Sequence, residues 1–306
     1  MQPTTTNEAP PPISPTMLRW FHWYSRRYVA KHFHAVRMAR SGGGDALRAK
    51  LDEGRPVVLL MNHAAWWDPL VGMLAHERLF PGRRAYAPID AAALGRYRFM
   101  ERLGLFGVEP DTRGGGRRFL EVGERVLAAS DTVLWLTPQG RFADPRERPV
   151  QLRPGAAHLA RRCPHAVFVP LAVEYPFWEE RTPEVLLMVG QPVDLLTAVR
   201  ENGVPKSLHN GAIPETPANH RTGETPASPS KTTERRTAGA AELTARFAGA
   251  LEEAQDELAK LSLARRTADF DVWLRGRTGI GGVYDLWRRV KAWSTGRRFR
   301  PEHGDS

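Results

Sequence analysis

The chain has 306 residues, 42% hydrophobic and 25% charged, which excludes a disordered or fibrous polymer and allows one large domain or two small ones. Its one cysteine, Cys163, excludes an intrachain disulfide. The net charge of +10 points to a polyanionic partner, either an anionic bilayer or nucleic acid.

Residues 1–16 are polar and hold five prolines, which predicts a disordered tail without the apolar stretch of a signal peptide. Residues 17–40 carry Arg19, Arg26, Arg27, Lys31, Arg37 and Arg40 with no acid, a local charge of +6. Trp20, Tyr24 and Tyr28 recur every fourth residue and Phe21 adjoins them, so the segment reads as a helix with an aromatic stripe among cations. That composition suits an interfacial helix on anionic lipid, and it equally suits a helix whose stripe packs on the body of the protein. Residues 273–300 repeat the pattern with Tyr284, Trp287 and Trp293, eight cations and the single acid Asp285, a local charge of +7. The remainder of the chain is therefore acidic, and the basic excess is confined to two flanking segments. Nowhere does an apolar run approach the roughly 18 residues of a spanning helix, so a membrane contact would be peripheral.

Between the flanks, residues 45–200 read as alternating strands and helices. Val57–Met61 (VVLLM), Val133–Leu136 (VLWL) and Val167–Val173 (VFVPLAV) are uncharged runs of buried-strand type. Helical periodicity covers residues 69–79, and again 117–129 after the Gly114-Gly115-Gly116 turn. The expected fold is α/β, with a mixed central sheet flanked by helices. Residues 201–240, with five prolines and no aromatic residue, predict a disordered insertion. Leu243, Phe247, Leu251, Ala254, Leu258 and Leu261 then mark a helical face within a C-terminal region, 241–300, expected to be helical.

His63 follows the first strand directly, where α/β domains bind ligands. Asp68 lies five residues on, and a continuous helix would turn the two side chains about 140° apart. The Asp68-Pro69 step pushes Asp68 out of the helical region, making it a candidate cap for a helix that starts at Pro69. A tight turn between them would bring carboxylate and imidazole together, leaving one ring nitrogen free to take a proton from a hydroxyl. The bland alternative is a capping aspartate beside an ordinary turn histidine. One His and one Asp do not make a recognisable metal set. Three later features accompany the pair: Gly107 to Arg113 running into a glycine turn, Thr137-Pro138-Gln139-Gly140-Arg141 after a strand, and Val169-Pro170-Leu171 within one.

Taken in order, these blocks resemble those of the glycerolipid acyltransferase family that includes bacterial 1-acylglycerol-3-phosphate acyltransferase, over roughly residues 50–195. Asn62, His63 and Asp68 match its Asn-His-x4-Asp block, Gly107 to Arg113 its second, and Val169-Pro170-Leu171 its fourth. The third departs: Gln139 stands where the family has glutamate, and Arg141 follows Gly140 one place early. The resemblance implies acyl transfer from acyl-CoA or acyl-carrier protein, acting as co-substrate rather than cofactor, to a hydroxyl of a lysophospholipid, glycerol phosphate or related lipid. It implies His63 as general base, Asp68 as its orienting partner, and Arg113, Gln139, Gly140 and Arg141 at the acceptor. The change at Gln139 leaves a glycolipid or other hydroxylated lipid open as acceptor, and a non-catalytic lipid-binding protein as the competing class. The expected location is cytoplasmic, peripheral on the inner face of an anionic membrane. Cys163, away from the blocks, is a poor candidate for a nucleophile. A nucleic-acid partner is not expected, for no zinc-finger spacing or RNA-binding aromatic motif accompanies the charge.

Overall fold

The structure, a computed structural model, describes residues 12–195 and 231–276, with only the backbone path for 231–238. The first helix, α1 (Pro15–His32), begins on Ser14, whose hydroxyl accepts the Met17 N–H, with Pro15 in the first turn where its missing N–H costs nothing. Ser25 and Val29 are buried, Phe21, Tyr24 and Tyr28 pack half-buried against the core, and Trp20 and Trp23 stand 56% and 55% exposed. The expected stripe is therefore divided between core and solvent.

The basic helix expected over 17–40 is shorter than that. It stops at His32, and Ala35–Ala39 forms strand β1, buried at all five positions. The physical reason lies far along the chain: Arg37 is held by Glu184 (2.9 Å) and lies over the Trp178 ring, so its charge is buried and paired. Arg26 pairs with Glu77 and Arg40 with Asp271. Half of the six cations thus serve the body, leaving Arg19, Arg27 and Lys31 on the helix surface.

Helix α2 (Gly44–Asp52) leads to β2 (Val57–Met61), α3 (Asp68–Leu79), β3 (Arg84–Asp90), the short α4 (Ala91–Arg96) and β4 (Leu105–Val108). Then come α5 (Arg113–Leu127), β5 (Thr132–Leu136), α6 (Gly155–Arg162), β6 (Val167–Glu174), β7 (Val185–Val189) and β8 (Val193–Asp194). Helix α7 (Lys231–Ala264) and β9 (Phe270–Arg275) close the described chain. The sheet runs β4-β3-β5-β2-β6-β7-β1-β9, with β8 beside β6. Its first five strands are parallel, β7 is antiparallel to β6, β1 parallel to β7, and β9 antiparallel to β1. This is the mixed sheet flanked by helices that the sequence pattern calls for.

Strand β2 shows why uncharged runs sit at the centre. Val57, Leu59 and Met61 face one layer, with Leu70, Val71 and Leu74 of α3 and Val29 of α1. Val58 and Leu60 face the other, with Val122 and Val126 of α5 and Leu159 of α6. Both faces exclude water, so no polar alternation survives. Helix α7 seals the second layer: Phe247 stacks on Phe168 of β6 (4.8 Å), and Leu251, Ala254 and Leu258 are buried. Of the insertion expected over 201–240, residues 201–230 lie outside the described residues, while 231–240 are the opening turns of α7. The region 241–300 is not wholly helical, because 270–275 is an edge strand; the remainder of the second basic segment, 277–300, lies outside the described residues.

Candidate active site

The backbone leaves the sheet at Asn62. Its fully buried amide donates to Val173 O (3.0 Å) and accepts from Val173 N (2.7 Å), fixing the end of β2 to β6. His63 follows, clamped on both sides of its peptide: its N–H donates to Gln139 Oε1 (2.9 Å), and its carbonyl accepts from Ala143 N (2.9 Å). The β5–α6 loop is thus pinned to the strand end.

The turn over residues 63–67 brings His63 Nδ1 to 2.6 Å from Asp68 Oδ2. Asp68 is not the cap expected of it. Trp67 occupies the cap position without a side-chain bond, and Asp68 is the first helical residue, its carboxylate bent back into the turn. Three donors account for this: His63, the Ala65 N–H (3.1 Å to Oδ2) and the Tyr175 hydroxyl (2.5 Å to Oδ1). Asp68 is 1% exposed, so a carboxylate with fewer partners would be costly there. With Nδ1–H given to Asp68, the His63 tautomer leaves Nε2 as an acceptor. The imidazole side chain is 22% exposed, and the Phe142 ring lies 4.2 Å away at 37°.

The remaining expected residues assemble around this pair unevenly. Gln139 joins it directly, through the His63 backbone. Gly140 has φ +65°, and a Cβ there would lie 2.2 Å from Arg153 Nε, so both backbone and space demand glycine. Arg153 in turn donates through its backbone to Pro138 O (2.8 Å) and through its guanidinium to Asp111 (2.8 Å), linking the third block to the second. Arg141 turns away to Glu147 and to Phe142 O (3.3 Å). Arg113 opens α5 behind the cap Thr112, whose hydroxyl accepts the Gly115 N–H (2.9 Å). A Cβ on Gly115 would lie 1.8 Å from Glu109 O, which explains a glycine in this turn. Arg113 is exposed and forms no ion pair among the described residues. Val169-Pro170-Leu171 does not reach the site; it forms the buried middle of β6, which carries Val173 to Asn62 and Tyr175 to Asp68.

Cys163 is buried at the end of α6, and burial pushes its thiol up to about 11, a poor nucleophile. Tyr175, Phe142 and Arg153 are the site residues that sequence reasoning missed. Tyr175 carried a signal: it follows an apolar run that pairs in parallel with the strand ending at Asn62-His63, so its strand end falls beside the histidine.

Residues 34–174 match the family model described as Acyltransferase. No curated protein matched the chain.

Proposed function

We propose, from the match of residues 34–174 to the acyltransferase family model, that this protein carries a fatty acyl group from a thioester to a lipid hydroxyl, with His63 as general base. The observation that carries the reading is the 2.6 Å contact between His63 Nδ1 and the buried Asp68 carboxylate. It directs Nε2 outward as the proton acceptor. The acceptor hydroxyl gives its proton to Nε2 as its oxygen bonds to the thioester carbonyl carbon. The carbon–sulfur bond then breaks, the thiolate takes a proton back from the imidazolium, and no acyl-enzyme forms. Asp68 holds the tautomer and stabilises the imidazolium.

The donor in this reading is acyl-CoA or acyl-carrier protein, and the acceptor a lysophospholipid, glycerol phosphate or related hydroxylated lipid. Arg113 supports an anionic headgroup, because its guanidinium is exposed and uncommitted where a helix begins. Arg141 is already engaged with Glu147, and a headgroup would have to compete for it. Gln139 contributes a neutral clamp on the His63 backbone, compatible with either a charged or an uncharged acceptor.

The test is turnover. Purified full-length protein given labelled palmitoyl-CoA and lysophosphatidate, lysophosphatidylcholine or a monoacylated glycolipid is expected to form more than one equivalent of product per chain from at least one acceptor. Stoichiometric lipid binding without product from any of them would favour a non-catalytic binder and sink the proposal.

We further place the protein on a bilayer surface, through α1. Trp20 and Trp23 are exposed, Arg27 lies 5.3 Å over the Trp23 ring, and Trp23, Tyr24, Arg27, Tyr28 and Lys31 line an open groove of about 520 Å³. Rings and cations on one face suit the headgroup layer. Among the described residues no helix is long and apolar enough to cross a membrane. In low salt the protein is expected to float with vesicles containing phosphatidylglycerol and to do so less after Trp20→Ser, Trp23→Ser. Sedimentation of the wild type away from those vesicles would overturn the assignment.

A further inference from the structure

We infer that Tyr175 is a positioning residue for the base, forming with Asp68 and His63 a three-member relay; this rests on the general-base reading above. Asp68 presents one oxygen to each neighbour, Oδ2 to His63 and Oδ1 to the Tyr175 hydroxyl at 2.5 Å. The phenol is a permanent donor there: burial, then the charge of Asp68 and the bond to it, holds its proton far above the usual phenol range. Its ring is seated against Phe33 (5.6 Å), which Trp67 also meets edge-on (5.0 Å), so the hydroxyl is held by the aromatic layer between α1 and the site.

Two consequences follow from the geometry. The Tyr175 bond fixes the rotation of the carboxylate about its Cβ–Cγ axis, so that Oδ2, rather than either oxygen at random, faces Nδ1. It also withdraws electron density from the carboxylate, which tempers how strongly Asp68 holds the imidazole proton. Losing the phenol would leave a stronger acceptor facing Nδ1–H and a buried oxygen lone pair without its donor. Gln139, which meets His63 through its backbone N–H, is neutral, and His32 of α1 donates Nδ1–H to Tyr28 O (2.9 Å) while its ring meets Trp67 (5.3 Å). Tyr175 touches no reacting atom, so its effect on the reaction passes through Asp68.

Tyr175→Phe removes the hydroxyl and keeps the ring. With palmitoyl-CoA and the best acceptor from the panel above, kcat is expected to fall about tenfold while both KM values stay within about twofold, because the change costs one hydrogen bond to a charged group. The acid limb of the kcat/KM profile is expected to move to higher pH, since His63 releases its proton less readily. Tyr175→Met, which removes the donor with a flexible side chain of comparable reach, is expected to reproduce both changes should the phenylalanine variant fold poorly. Wild-type kcat with an unmoved acid limb in either folded variant overturns the assignment, as does a change confined to KM. The control is His63→Ala in the same assay. If that variant turns over like the wild type, the general-base reading falls and the relay with it; if it is inactive while Tyr175→Phe matches the wild type, only the relay falls.

Discussion

His63→Ala is expected to lower kcat for acyl transfer by about two to four orders of magnitude, the span that a positioned general base supplies. The loss should fall on kcat and kcat/KM together, because the base acts on a proton that moves only as the hydroxyl attacks. Asp68→Asn should approach the same loss while preserving the shape of the turn. An amide offers one oxygen where the carboxylate offers two, and three donors converge on this side chain. The amide oxygen can face His63 or Tyr175, and the amide NH₂ must meet the other. If it meets Nδ1, the imidazole flips its tautomer and Nε2 becomes a donor, unable to take a proton. Steady-state kinetics of both variants, with circular dichroism to verify folding, decides the matter. Transfer at the wild-type rate by His63→Ala would remove the histidine from the mechanism.

Acidification is expected to destabilise the fold through His76, about two helical turns beyond Asp68 on α3. His76 is buried in α3, donating from Nε2 to Arg83 O (2.9 Å) and accepting at Nδ1 from the Trp135 indole (3.2 Å). Both ring nitrogens are satisfied only when the ring is neutral; a proton on Nδ1 would face the indole N–H donor to donor. Burial, the dominant cause, lowers its pKa to about 4, against 6.5 for the exposed side chain; His22 pushes the same way, while Arg83 O and Glu77 oppose. The unfolded chain thus binds this proton first as pH falls. The stabilising contribution is whole above about 6.5 and drains away towards 4, a loss on the order of 2 kcal/mol by pH 4.5. Urea titrations at pH 7 and 4.5 should show it, and His76→Gln, which offers both a donor and an acceptor without titrating, should flatten the difference. An equal pH dependence in wild type and variant would contradict this account.

The fold was legible in the sequence where burial on two faces strips a strand of charge. Runs such as VVLLM and VFVPLAV fall at β2 and β6, in the middle of the sheet, where no polar face is tolerated. The outer strands gave no such signal. Arg37 in β1 is a buried cation whose acceptor, Glu184, lies 147 residues away, and no local pattern can announce that pairing. Pro88 lies inside β3, a residue that local pattern assigns to turns, and β9 lies within the region 241–300 that reads as helical. The contact between His63 and Asp68 was legible because the Asp-Pro step made a turn sterically natural. That Asp68 would bend back rather than cap the helix was not, because Tyr175 reaches it from a strand 107 residues on. Likewise Gln139 was noticed for the charge it lacks, while its oxygen holds a backbone N–H, a role that residue identity alone does not disclose.

Asn62 carries a consequence beyond holding two strands together. Its side-chain amide presents an N–H and a C=O to Val173 as a peptide group would, so it counterfeits one more rung of the ladder after the true backbone has departed. The sheet is sealed by a side chain, and the main chain is released one step early to carry the imidazole out of the layer. An aspartate at 62 would keep the acceptor and lose the donor, and a leucine would lose both, leaving Val173 with bare polar groups in a dry interior. The asparagine that precedes the histidine is therefore the hinge pin of the turn that holds His63 against Asp68, and it decides where the imidazole stands.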